Sequence, residues 1–195
     1  MVKVAIFASG AGTNFENIVK NVENGLIKNM SVEVLIVDNE KAQAIKKAER
    51  LNIPWIYVNP KAFTKKMDFE ECIVSYLKKR EIDLIALAGY MRIITPVLLN
   101  AYPKRIVNLH PAYLPAFPGK QSILDAFDAK ATETGVTLHY LDEGIDTGEI
   151  IHQEKIKIEE GWSLAILEEH VHALEYRMYP IVLNELCAKI ERGES

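Results

Sequence analysis

Through the first half of the chain, short unbroken apolar runs alternate with longer stretches in which apolar positions return every three or four residues. Val2 to Ala8 is almost wholly apolar and rich in β-branched side chains, and Val32 to Val37 repeats the pattern. Such runs suit parallel strands, which are covered on both faces. Asn14 to Lys28, Lys41 to Leu51 and Phe63 to Lys79 carry helical spacing, as in Phe69, Ile73, Tyr76 and Leu77. Trp55 to Val58, Leu84 to Ala88 and Ile106 to Leu109 supply further strands. This alternation predicts an α/β protein with a Rossmann-like, doubly wound, mostly parallel sheet.

After Gly135 the period changes. Val136 to Leu141 and Glu149 to Ile158 alternate apolar and polar positions, as strands with one solvated face do, and predict an antiparallel extension of the sheet in the C-terminal half. Ser163 to Glu191 returns to helical spacing. Pro180 within it is expected to kink or divide the helix, because its ring removes a hydrogen bond and meets the preceding turn. With 195 residues and no repeat, low-complexity tract or linker, one domain spanning 1–195 is expected.

Composition bears mainly on partners. A formal charge of −4 argues against nucleic acid, which favours a basic face, so any substrate phosphate must be met locally. No apolar run approaches the ~20 residues of a membrane span. Met1 to Phe7 runs straight into a strand without the features of a signal peptide, which predicts cytoplasmic residence and no membrane partner. Cys72 and Cys187 lie far apart with no metal-ligand spacing. Two buried free thiols are expected, with neither a disulfide nor a metal site.

Three segments carry candidate chemistry. Ser9-Gly10-Ala11-Gly12-Thr13-Asn14 joins the first strand to the first helix, where glycines let the backbone approach an anion and helix N–H groups point at it. Thr13 or Asn14 could also cap that helix. Phe15 stands where a dinucleotide fingerprint wants glycine, Asp38 comes later than that pattern's acidic residue, and no Gly-Lys-Ser/Thr follows; neither a dinucleotide nor a nucleoside triphosphate is supported. A nucleotide-binding oxidoreductase or sensor domain would account for this half alone.

Arg105 to His110 reads as a strand on which Asn108 and His110 share a side. Asp146 lies in Leu141-Asp142-Glu143-Gly144-Ile145-Asp146-Thr147-Gly148. An amide, an imidazole and a carboxylate can hold a carbonyl, stabilise the oxyanion formed when it is attacked, and manage protons, so these residues predict acyl transfer. Imidazole titrates near pH ~6.5, and a nearby Asp146 would favour its cationic, stronger-donating form. Asp146 could also take a proton from the attacking group, directly or through water. His139 is expected to support this set structurally. His152, His170 and His172 are expected at the surface or in packing.

Asn108-Leu109-His110-Pro111 with Tyr113-Leu114-Pro115 and Phe117-Pro118-Gly119 resembles the active-site loop of folate-dependent formyltransferases. Ser9 to Asn14, Leu87 to Ile93 and Asp142 to Gly148 resemble further motifs of the branch of that family acting on phosphoribosylglycinamide. The resemblance runs in order from Ser9 to Pro180. It implies small-molecule substrates: phosphoribosylglycinamide, and 10-formyltetrahydrofolate as co-substrate, with no metal. Residues 1–100 would form the phosphate- and nucleotide-binding half and 101–195 the catalytic and folate-binding half, in a monomer or homodimer.

By the same resemblance Asn108, His110 and Asp146 are catalytic, and Gly12, Thr13 and Asn14 hold the substrate phosphate while Glu175 meets its ribose hydroxyls. Met91, Arg92, Ile93, Ile94, Asn108 and the backbone of Asp142, Glu143, Gly144 and Ile145 line the folate slot, with Lys66 towards the folate's glutamate tail. Ala112 stands where the family usually has Ser, and Tyr176 where it usually has His after the Glu. Methionyl-tRNA formyltransferase, which resembles this centre, carries an additional C-terminal domain, and the charge of this chain argues against tRNA. Formyltetrahydrofolate deformylase has a regulatory domain and a second His at the position of Pro111.

Overall fold

A computed structural model describes residues 1–194 of the protein. Its strands form one seven-stranded sheet in the order β3-β2-β1-β4-β5-β6-β7. They are β1 (Val2–Ala8), β2 (Met30–Val37), β3 (Trp55–Tyr57), β4 (Leu84–Leu87), β5 (Ile106–His110), β6 (Glu133–Tyr140) and β7 (Ile150–Lys157). The first five pair in parallel, and β6 and β7 extend the sheet antiparallel. The fold class is therefore the one the two hydrophobic periods predict.

The helices are α1 (Thr13–Glu23), α2 (Gln43–Arg50), α3 (Lys66–Lys79), α4 (Pro96–Ala101), α5 (Ser122–Asp128) and α6 (Leu164–Glu191), with a 3-10 turn at Pro60–Ala62. The apolar faces of α1, α2 and α6 bury one side of the sheet through Phe15, Ile18, Ala44, Leu174 and Tyr179. α3 and α4 bury the other through Phe69, Ile73, Leu77 and Leu98. Two faces so covered explain why β1, β2 and β4 read as continuous apolar runs. Among the described residues no helix is long and apolar enough to cross a membrane.

α1, α2 and α3 are each shorter than the apolar pattern suggests, and α4 and α5 leave no helical pattern in the sequence because six and seven residues hold too few turns to set a period. α4 does carry a local start signal: Thr95 caps it through Val97 N–H at 3.3 Å, with Pro96 at the first helical position. α6 is not divided at Pro180, which lies inside its 28 residues. Proline has no N–H for the carbonyl of Tyr176; Asn17 on α1 supplies one instead, its Nδ2 donating to that carbonyl at 2.8 Å. The expectation for the thiols holds for Cys187, which is buried, and fails for Cys72, which is exposed. Cys72 lies on α3 at the edge of the buried face formed by Phe69, Glu70, Ile73 and Leu77.

The chain order reverses about β1, with β2 and β3 built out to one side and β4 onward to the other. In such sheets the loops leaving the carboxyl ends of the strands on either side of the reversal part and leave a crevice. Here these are the loops after β1 and β4.

Candidate active site

A cavity of about 500 Å³ opens at that crevice, with walls from the loops after β1, β4, β5 and β6 and one face of α6. The loops after β1 and β4 are tied together: Ser9 N–H donates to the Gly89 carbonyl at 3.1 Å, and Met91 N–H to Ser9 Oγ at 2.9 Å. Gly12 adopts φ 67°, and a Cβ there would come within 2.5 Å of the Ala44 Cβ. Glycine is thus required by both backbone and space. Neither Thr13 nor Asn14 caps α1, whose N-cap is Gly12 with no side-chain hydrogen bond. Asn14 instead reaches across to α6, its Nδ2 donating to Glu175 Oε2 at 3.0 Å.

The segment after β4 is held from beneath by α3. The buried Glu70 carboxylate accepts Thr95 N–H at 2.8 Å, Thr95 Oγ1–H at 2.5 Å and Leu98 N–H at 3.2 Å. Tyr90 packs edge-on against Phe7, and Arg92 lies over the Phe69 ring with its guanidinium 3.9 Å from Asp38. Met91 and Ile93 are 52% and 59% exposed, so they form an apolar cavity wall and are not core.

β5 delivers Asn108 and His110 into the same cavity. His110 is 3% exposed, with Nε2 donating to the Phe117 carbonyl at 2.9 Å and Nδ1 3.5 Å from Asp146 Oδ2. A carbonyl accepts only from N–H, and a bare Nδ1 would set a lone pair against a carboxylate, so the imidazolium suits both neighbours. Phe117 and Asp146 have φ of 53° and 54°. Non-glycine residues in this left-handed region are uncommon and gather at functional sites.

Asp146 Oδ2 accepts Gly119 N–H at 2.8 Å, and Oδ1 lies 3.5 Å from Asn108 Nδ2 and 3.6 Å from His139 Nε2. Burial pushes its carboxyl upward, but the His139 contact, the Gly119 N–H and the charge of His110 outweigh this and hold it below the ordinary aspartate value. His139 donates from Nδ1 to the Tyr140 carbonyl at 2.8 Å, and its Nε2 lies 3.2 Å from Asn108 Nδ2. This buried ring backs Asn108 and Asp146, in keeping with a supporting role. Asp142 Oδ1 closes the preceding turn, accepting Gly144 N–H at 2.9 Å and Thr147 Oγ1–H at 2.8 Å.

Gly12, Thr13, Asn14, Glu175, Met91, Arg92, Ile93, Ile94, Asn108, His110, Asp142, Gly144, Ile145 and Asp146 all line the one cavity. Lys66, at the start of α3, and the exposed Glu143 are not brought to its wall. His172 is exposed, as expected of it, and also lines the cavity, with Nδ1 donating to Glu175 Oε2 at 2.9 Å. The signal available was a His and a Glu three apart on a helix, a spacing that puts both on one face. Of the two departures from the family pattern, Ala112 is buried, with its carbonyl taking the Thr137 hydroxyl at 2.7 Å, and Tyr176 stacks on His172. Among the described residues no group of His, Cys, Asp and Glu is arranged to hold a metal ion.

Residues 2–183 match the profile of the Formyl transferase family. The chain is 44% identical to phosphoribosylglycinamide formyltransferase of Bacillus subtilis, covering 100% of this chain and 99% of that protein. It is 31% identical to the human trifunctional purine biosynthetic protein adenosine-3, covering 99% of this chain and 19% of that one. Among solved structures, glycinamide ribonucleotide transformylase 1 of Geobacillus kaustophilus superposes with a TM-score of 0.93 at 48% identity, over 96% of this chain and 99% of that one. The phosphoribosylglycinamide formyltransferase of Streptococcus pneumoniae gives 0.89 at 40%, over 95% and 99%.

Proposed function

The chain belongs to the formyl transferase family, and from that premise we propose that it transfers the formyl group of 10-formyltetrahydrofolate to the amine of 5′-phosphoribosylglycinamide, a step of de novo purine synthesis. Its substrates are small molecules; the reading places it in the cytoplasm, as a monomer or homodimer, without nucleic acid or membrane partners. The observation that carries it is the position of Asn108, His110 and Asp146 in one cavity with a glycine-bound anion cradle and an exposed apolar wall.

In the reaction the amine nitrogen bonds to the formyl carbon, the bond from that carbon to N10 of the folate breaks, and a proton passes from the amine to N10. Negative charge grows on the formyl oxygen, which needs a donor in a site shielded from water. His110 offers a charge-assisted N–H from Nδ1, which lies 3.5 Å from Asp146 and is not held by a short hydrogen bond, and Asn108 a neutral one. The 3.5 Å contact from Asn108 to Asp146 is long, so that N–H is readily given up to a better acceptor. Asp146, ionised at neutral pH, stabilises the imidazolium and can accept the amine proton, directly or through water.

The backbone at Gly12, Thr13 and Asn14 takes the phosphate at the start of α1. Glu175 Oε2 already accepts from Asn14 and His172, which leaves Oε1 for the ribose hydroxyls. Met91 to Ile94 and the turn from Asp142 to Ile145 hold the flat pterin, whose donors and acceptors match backbone groups. Incubation with both substrates and detection of formylated product tests the whole reading. Absence of product with this amine would overturn the substrate assignment, and hydride transfer to NAD would replace it with an oxidoreductase.

A further inference from the structure

One wall of the cavity rests on a buried carboxylate. Between β4 and α4 the chain runs from Gly89 to Thr95 without helix or strand. Met91 and Ile93 are exposed on the cavity wall, while Tyr90 and Ile94 are buried in the core that α3 and α4 form with the sheet. Ser9 holds the first end of this segment, through the Gly89 carbonyl and Met91 N–H. Glu70 on α3 holds the last: Oε1 accepts Thr95 N–H at 2.8 Å, and Oε2 accepts Thr95 Oγ1–H at 2.5 Å and Leu98 N–H at 3.2 Å. Glu70 is 2% exposed, and among the described residues it has no ion-pair partner. A carboxylate is costly to bury, and apolar groups of the same volume often serve stability as well. Thr95 already caps α4 with its own hydroxyl, and α4 has only six residues, too few to fix its own start. What the carboxylate adds is one placement of Thr95, the one in which three donors are met together.

We propose that Glu70, which is not on the cavity wall, is a positioning residue for folate: by fixing Thr95 it keeps the backbone from Met91 to Ile94 in the arrangement whose donors and acceptors match the pterin. This rests on the folate reading of the slot and names the group that preorganises it. Without the carboxylate the segment is tethered at Ser9 alone and samples other arrangements, and affinity falls in proportion to the population that remains competent. Turnover at saturating folate is spared, because the bound pterin restores the arrangement. Asn108, His110 and Asp146 lie on β5 and the loop after β6, where Phe117, Gly119 and His139 hold them. The nucleotide end is spared as well, since Asn14 is anchored on α6.

The test compares the wild type, Glu70→Gln, Thr95→Val and Thr95→Ser as full chains. The measurements are affinity for 10-formyltetrahydrofolate, KM for each substrate, kcat and melting temperature. Gln matches Glu in size but turns one oxygen into an N–H group, which sets a donor against the backbone N–H of Thr95 or Leu98. Val matches Thr in shape without the hydroxyl, and Ser keeps the hydroxyl as the conservative control. Glu70→Gln is expected to weaken folate affinity and raise the folate KM about tenfold, the size of one lost charge-assisted hydrogen bond. Its kcat and its KM for phosphoribosylglycinamide should stay within about twofold of the wild type. Thr95→Val should show the same split at about threefold, and Thr95→Ser should match the wild type. A folded Glu70→Gln that binds folate within about twofold of the wild type overturns the proposal. So does a loss shared equally by the two substrates, which marks a general effect on the fold. If Glu70→Gln does not fold, Thr95→Val decides by the same criteria. A wild type that binds no 10-formyltetrahydrofolate overturns the folate reading, and the proposal with it.

Discussion

Asp146 Oδ2 accepts the backbone N–H of Gly119 at 2.8 Å, joining the loop after β6 to the loop after β5 directly beside His110. The same oxygen is 3.5 Å from His110 Nδ1, so one atom both holds the loops together and sets the electrostatics of the imidazole. Asp146→Asn retains a side-chain oxygen for Gly119 and removes the charge. It is expected to cut kcat by about a hundredfold or more, as loss of a preorganised stabilising group does, with little change in thermal stability. His110→Ala is expected to lose at least as much. Steady-state turnover with both substrates is the measurement, and near-wild-type kcat in either variant refutes the assigned roles.

Gly148 ends the turn that carries Asp146. A Cβ at this position would fall on the carbonyl oxygen of Tyr140, which is backbone of β6 and cannot swing aside. Gly148→Ala should therefore displace the turn from Asp142 to Asp146, lowering stability by about 1–3 kcal/mol and kcat together. Gly10→Ala is the control, since nothing lies within 4 Å of an added Cβ there. Equal melting temperatures for the two variants would show that the turn tolerates the methyl group.

The sheet was legible in the sequence because each strand has one dominant environment. Val2 to Ala8 is apolar at almost every position since both sides are covered, and Val136 to Leu141 changes period where the sheet turns antiparallel. The site was legible where it sits at strand ends: the loop after β1, and Asn108 and His110 on β5. Less was legible where the cause is tertiary. His172 reads as an ordinary helical residue until α1 is packed beside α6 and Asn14 meets Glu175. α6 looks breakable at Pro180 until Asn17 is seen opposite. Asp146 in sequence is a residue between glycines, and its direction follows from a left-handed backbone that no periodicity records.

Glu16 predicts how acid acts on the fold. Its carboxylate meets Lys20 at 2.7 Å on its own helix, and Lys47 at 2.9 Å and Arg50 at 2.7 Å on α2. The hydrogen bonds from Lys20 and then Lys47 bring its pKa down from 4.5 to about 2. The folded value is depressed below the unfolded one. The stabilisation is therefore fully present above about pH 4.5 and lost as pH falls towards about 2. With partners this solvated the contribution is about 1 kcal/mol. Glu16→Gln should be less stable than the wild type by that amount at neutral pH, in urea unfolding, and the gap should close near pH ~2. A gap constant across this range would rule the linkage out.

The contact between Asn17 and Tyr176 makes a sharper prediction, because its worth depends on Pro180. In an unbroken helix the Tyr176 carbonyl would take the N–H of residue 180, which proline lacks. Asn17 Nδ2 fills that place at 2.8 Å. Asn17→Ala strands a carbonyl at a packed interface between α1 and α6 and should cost about 1–3 kcal/mol. Pro180→Ala restores the missing N–H, so in that background the carbonyl has a helical partner and Asn17→Ala should cost only a few tenths of a kcal/mol. The pair of mutations is thus expected to be non-additive, with the coupling read from a double-mutant cycle by chemical denaturation. Equal costs for Asn17→Ala with and without Pro180 would mean that the amide acts through packing alone, and that α6 tolerates its proline for another reason.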